Sequence, residues 1–188
     1  MANFDFKSRE QIEELIKEAE VDLKAEELIN YFKALKKERN PFFINKKDLE
    51  KILVFKLRGQ YHRQVDQRNL NNDEVIKVVS KAAFEVVHTN NDYEIELKLN
   101  LLTSLKGIGV PVASAILALT YPEKYAVIDK RNWEQIFGNL KSNYTVCDYL
   151  KYLKVIKTLS SRYGFTYQEV DMAIWELNKK PYITEQRF

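Results

Sequence analysis

Residues that interrupt helices are scarce in this chain. Five glycines and four prolines among 188 residues are about half the usual share, which excludes a turn-rich all-β sandwich. A single cysteine, Cys147, excludes an internal disulfide, a structural zinc site and a four-cysteine iron–sulfur site. The two histidines, His62 and His88, are too isolated for a metal cluster, so no metal is expected. The longest nearly apolar stretch, residues 110–119, is about half a membrane span, and no membrane partner is expected. The opening MANFDFKSRE lacks the apolar segment of a secretory signal, so a cytoplasmic setting is expected. A dominant charge is missing too: the formal net charge of +3 points to no partner by itself.

What is present is helical periodicity. Hydrophobic residues make up 45% of the chain, enough to bury a core. Ser8 and Gln11 form a capping-box pattern ahead of Ile12, Leu15, Ile16 and Ala19. Leu28, Phe32 and Leu35 mark a second helix over about 25–37, stopped by Asn40-Pro41 because the residue before proline avoids the helical region. Asn45 caps a third with Leu49, Ile52, Leu53 and Phe55. The period returns at Asp73 and runs through Val86 and Val87, then covers about 95–105, 112–120 and 133–137. Thr145 opens a helix over about 145–162, and a Thr166/Glu169 capping box opens the last, over about 167–178. These spacings predict an all-α fold of roughly eight to ten helices. A monomer forming one globular unit over residues 1–188 is expected.

Residues 57–72 break the pattern. They are polar and rich in amides and arginine, and a loop this long inside a compact domain is disordered or functional. Residues 51–72 hold five basic residues (Lys51, Lys56, Arg58, Arg63 and Arg68) against the single acid Asp66. A second break falls at Leu105-Lys-Gly-Ile-Gly-Val-Pro-Val-Ala-Ser-Ala-Ile-Leu117. Gly107 and Gly109 remove the Cβ atoms that block tight turning and close approach. Ile108 can tuck between two helices, and Val110-Pro111 suits a helix start. The free N–H groups of that first turn face outward and fit a phosphate oxygen, with Lys106 beside them.

This stretch resembles the helix-hairpin-helix motif. Twenty positions beyond Gly109, Tyr121-Pro-Glu-Lys-Tyr-Ala-Val-Ile-Asp129 follows it with an acid after a short apolar run. Together they resemble the helix-hairpin-helix DNA glycosylase superfamily, the endonuclease III-like group, over residues 105–129. The resemblance implies two helical lobes. Residues 23–120 would form a central lobe ending in the hairpin at 105–117, and residues 1–22 plus 121–188 a second lobe. A nucleotide flipped from double-stranded DNA would enter the cleft between them. Asp129 would be the catalytic acid, stabilising charge on the deoxyribose and activating water. Lys106, Gly107, Ile108, Gly109 and Val110 would contact DNA, and a monovalent cation at the hairpin backbone is the one cofactor implied. The chain departs from the pattern at two positions. Pro111 stands where strand-nicking members carry a Schiff-base lysine, which implies a monofunctional glycosylase without lyase activity. Arg131 stands where the family often has histidine.

Each candidate also has a plainer role. Asp129 precedes a short helix and suits an N-cap. Lys56, Arg58, Arg63 and Arg131 are candidates for DNA contact or for ordinary ion pairs. Tyr61 and His62 are candidate wedges for the gap left by a flipped base, and Trp133 a candidate stacking ring. Arg162 and Asp171 are expected to form a structural ion pair, with Trp175 buried. Two other functions fit the hairpin: a non-catalytic DNA-binding module and a helical protein-interaction scaffold. In both DNA readings, bulkier residues at Gly107 and Gly109 are expected to weaken binding without unfolding the chain.

Overall fold

The computed structural model describes residues 4–185, so the ends of the expected unit, at 1 and 188, lie outside the described residues. Ten helices account for 71% of the residues, with no strand among those described. They are α1 (Arg9–Leu23), α2 (Ala25–Glu38), α3 (Lys46–Leu57), α4 (Val65–Asn69), α5 (Asp73–Glu85), α6 (Asn91–Thr103), α7 (Val110–Thr120), α8 (Lys130–Phe137), α9 (Val146–Tyr163) and α10 (Tyr167–Glu185).

Polar caps start most of them by accepting hydrogen bonds from the otherwise unpaired N–H groups of the first turn. Asn45 and Asp48 close a reciprocal box on α3, and Thr145 and Asp148 do the same on α9. Thr166 and Glu169 pair similarly at the start of α10, at 2.7 and 3.2 Å. Ser8 accepts from the Gln11 N–H on α1, but the Gln11 side chain reaches the Lys7 N–H instead of closing the box.

Helix α7 is the axis of the molecule. Residues 112–120 are all buried, as expected of a helix apolar all round. Helices α2, α3, α6 and α10 pack on it, while α1 lies along α10, and α8 and α9 also pack on α10. One continuous apolar core links them, from Ile12 through Leu99 and Ile116 to Tyr149 and Ile174.

Two segments differ from the expectation. Residues 57–72 are ordered: a 3-10 turn at Arg58–Gln60 leads to the short helix α4. Side-chain hydrogen bonds, not apolar periodicity, hold them. The buried Arg68 guanidinium donates to the carbonyls of Tyr61 and Arg63. The expected helix through Val87 ends at Glu85. There the buried Lys98 ammonium, from α6, collects the carbonyls of Ala83, Phe84 and Val86. A cation suits the negative end of a helix and its unpaired carbonyls.

Candidate functional site

A glycine-bracketed turn joins α6 to α7. Gly107 sits at φ +73, where an L side chain is strained. A Cβ there would also lie 2.7 Å from Arg68 Cγ, so the hairpin packs directly on α4. The buried Asn71 side chain fastens it, accepting from the Lys106 N–H and donating to the Lys106 carbonyl, both at 2.9 Å. Gly109 differs. Its φ of −95 is ordinary, it opens α7 as N-cap, and a Cβ would touch only Pro111, at 3.8 Å. Replacement of Gly107 thus strains the fold itself, a cost that the expectation of weakened binding without unfolding did not separate from replacement of Gly109. Ile108 is buried, and so is Val110, so both present only backbone to a partner. Lys106 is exposed.

From α7 the chain is tied to Asp129. Ser114 Oγ accepts from the Ile128 N–H at 3.2 Å and donates to the Pro111 carbonyl at 2.8 Å. From the opposite side, Lys56 Nζ on α3 donates to the Ile128 carbonyl at 3.1 Å. The peptide groups flanking Ile128 are therefore held by two helices, which fixes the residue that follows. Asp129 divides its two oxygens. Oδ1 accepts from the Asn132 N–H at 2.9 Å and caps α8. Oδ2 lies 3.9 Å from Lys56 Nζ, and the side chain is 27% exposed. Capping leaves one oxygen open.

Asp129 borders a cleft of about 1010 Å³, at the upper end of the sizes typical of small-molecule sites. One wall is residues 55–60 with Arg63, Gln64 and Arg68, together with Gly107, Gly109 and Pro111. The other wall comes from Asp129, Lys130 and Arg131, from residues 141–144, and from one face of α10. That face carries Gln168, Asp171 and Trp175, at the i, i+3, i+7 spacing of a single helical stripe. Arg58 and Arg131 reach over the Trp175 ring from two elements, at 5.2 and 5.0 Å from its centroid, within cation–π range.

Asp171 is 4% exposed. Its Oδ1 accepts from Asn132 Nδ2 at 2.6 Å and from the Tyr152 hydroxyl. Burial pushes its pKa up to about 7; the nearby Asp129 charge adds to the rise, and the Tyr152 hydrogen bond, Lys56 and Asn132 oppose it. Burial also lowers the pKa of Lys56, against the pull of Asp129 and Asp171. Asn132 therefore links the two carboxyl groups, through its backbone to Asp129 and through its side chain to Asp171.

Of the residues singled out in the sequence, the cleft gathers Asp129, Lys56, Arg58, Arg63, Arg131, Gly107 and Gly109. Lys56 faces Asp129 rather than an outer groove, with a side chain only 10% exposed. Three aromatic or basic candidates lie elsewhere. Tyr61 donates to Glu50 and packs against Arg68, lining a separate small pocket and not the cleft. Trp133 is buried, tilted against Phe137 at 4.1 Å between ring centroids, with Nε1 donating to Asn139 at 2.8 Å, so it offers no face for stacking. His62 is exposed on the turn before α4, outside the cleft lining. Arg162 pairs with Asp5 and not with Asp171, and Trp175 is only partly buried. Ser114, Asn71, Asn132 and Gln168 were missed. A lone serine in an apolar helix was a visible signal for Ser114; the roles of the others depend on which helices become neighbours. No family model, curated protein or solved structure matches this chain.

Proposed function

We infer that the protein is a monofunctional DNA glycosylase, releasing an altered base that has been flipped out of the duplex. One observation carries the reading: Asp129 uses a single oxygen to cap α8 and keeps the other beside Lys56, on the wall of the same cavity that the hairpin glycines line. In this role the carboxylate stabilises positive charge growing on the deoxyribose and takes a proton from the attacking water. Lys56 orients that carboxylate from 3.9 Å. The N–H groups at the start of α7 and the exposed Lys106 grip phosphates beside the flipped nucleotide, while Arg63, Lys130 and Arg131 give the cleft walls a positive charge. Pro111, at the position where strand-nicking relatives of the motif carry a nucleophilic lysine, fits hydrolysis without strand cleavage.

The test is base release from duplexes carrying single lesions, with alkali used to reveal abasic sites. Asp129→Asn is the discriminating variant, because asparagine caps a helix as well as aspartate does and the fold is retained. Release should fall at least about 100-fold with thermal unfolding unchanged. Undiminished release in Asp129→Asn removes Asp129 from the chemistry. Duplex binding without release from any lesion leaves only a DNA-binding module.

A further inference from the structure

The second carboxyl group of the cleft has a use that the chemistry at Asp129 leaves open. Resting on the glycosylase reading, the geometry points to Asp171 as the proton donor to the departing base, and so to an uncharged altered base as the substrate. A neutral base leaves poorly as an anion, whereas a base carrying a fixed positive charge, such as an N7-alkylated purine, leaves as a neutral molecule and needs no proton.

Four features of the site converge on this role. Asp171 borders the cleft on the same α10 stripe as Trp175 and Gln168. One of its oxygens is anchored by Tyr152 and Asn132, which fixes the direction of the carboxyl group. Gln168 is 2% exposed and its Oε1 is buried without a hydrogen-bond partner, an uncommon arrangement in a folded protein. A ligand donor reaching that wall of the cleft would satisfy it. Burial keeps Asp171 protonated to about pH 7, so it is an acid with a proton to give at neutral pH. The charged and titratable groups around it are Lys56 from α3, Asp129 at the start of α8, and Tyr149 and Tyr152 from α9. The two tyrosines have pKa values pushed well up by burial and stay neutral. Lys56 and Asp129 remain as the charged neighbours whose effect must be separated from the titration of Asp171.

The step balances. The C1′–N bond breaks and its electron pair goes to the base. The Asp171 proton adds to a ring nitrogen or exocyclic oxygen of that base, which departs neutral. Water bonds to C1′ and gives its proton to Asp129. The product is a neutral free base and an abasic sugar, and one proton returns from Asp129 through solvent to Asp171.

The experiment compares single-turnover release of hypoxanthine, 8-oxoguanine and uracil with that of 7-methylguanine, from pH 5 to 9, in the full chain and in Asp171→Asn. Asparagine keeps an oxygen for Tyr152 and Asn132. The expected result is a neutral base whose release declines above about pH 7, and falls about 100-fold or more in Asp171→Asn with loss of that decline. Release of 7-methylguanine, where it occurs, should change less than about threefold. Lys56 and Asp129 serve both substrate classes, so the difference between classes isolates Asp171. The wild-type profiles alone make this comparison if the variant does not fold. Equal slowing of both classes in Asp171→Asn, no slowing of either, or wild-type release of 7-methylguanine alone each overturns the inference and leaves Asp129 in its role. Wild-type release of nothing overturns the glycosylase reading and this inference with it.

Discussion

Asp129 and Asp171 bring the same functional group into opposite surroundings, and the difference has a measurable consequence for stability. Asp129 keeps contact with solvent, whereas Asp171 is buried and retains its proton to about pH 7. An unfolded aspartate loses its proton near 3.8, so the folded protein binds more protons between those values. The contribution of Asp171 is therefore full below pH 3.8, declines as pH rises, and is gone above about 7. Measured as the difference in unfolding free energy between the wild type and Asp171→Asn, it should fall by about 2–3 kcal/mol from pH 5 to pH 8, at about 1.4 kcal/mol per pH unit. A pH-independent difference would mean that the carboxyl group is ionised in the fold. The two hairpin glycines separate in the same way. Gly107→Ala places a Cβ against Arg68 at positive φ and should cost about 1–3 kcal/mol. Gly109→Ala meets no backbone and should cost under about 1 kcal/mol, while narrowing the approach of a phosphate. Melting curves set beside duplex titrations separate the two: unequal losses of stability, but weakened binding in both.

At the level of elements, the hairpin is rigid because something outside it holds it. Asn71 bonds both the N–H and the carbonyl of Lys106, so Asn71→Ala leaves both groups unmatched in a partly buried place. The expected loss is about 1–3 kcal/mol, with faster hydrogen exchange at the Lys106 amide and weaker duplex binding. Unchanged exchange there would show that the turn stands without the clamp. This contact also marks where sequence reading ran out. The caps at Asn45, Thr145 and Thr166 were legible because capping is local, settled within four residues. Asp129 was legible through its spacing from the hairpin. Helix α4 was not, since five residues stabilised by Arg68 bonds to the nearby carbonyls of Tyr61 and Arg63, and by the Asn71 bonds to Lys106, leave no apolar period. The stripe of Gln168, Asp171 and Trp175 was present as a spacing, but only the packing of α10 against α7 and α8 turns it towards Asp129. The polar character of residues 57–72 shows in the sequence as a break in the apolar pattern; its order rests on Arg68 bonds within the segment and on the Asn71 clamp to Lys106.

For the molecule as a whole, a net charge of +3 conceals three kinds of basic residue, and salt dependence sorts them. Lys106 and Arg63 are exposed beside the hairpin and the cleft. On a duplex each would displace condensed counterions, so log K against log salt should steepen by about 0.9 per phosphate engaged. Lys106→Gln and Arg63→Gln should each reduce the slope by about one, weaken binding alike across sequences, and leave unfolding unchanged. Lys56 is enclosed by the fold and faces Asp129. Lys56→Gln should leave the salt slope intact while slowing base release, because it removes the cation that orients Asp129 and not one that meets a phosphate. Arg68 is buried and spends its guanidinium on backbone carbonyls, so Arg68→Gln should lower the melting temperature before it changes any slope. Titrations at four or five salt concentrations, paired with thermal unfolding of each variant, read all three outcomes. A slope reduced equally by Lys56→Gln and Lys106→Gln would mean that duplex phosphates reach the cleft floor, and the separation of a binding rim from a reacting interior would then be wrong.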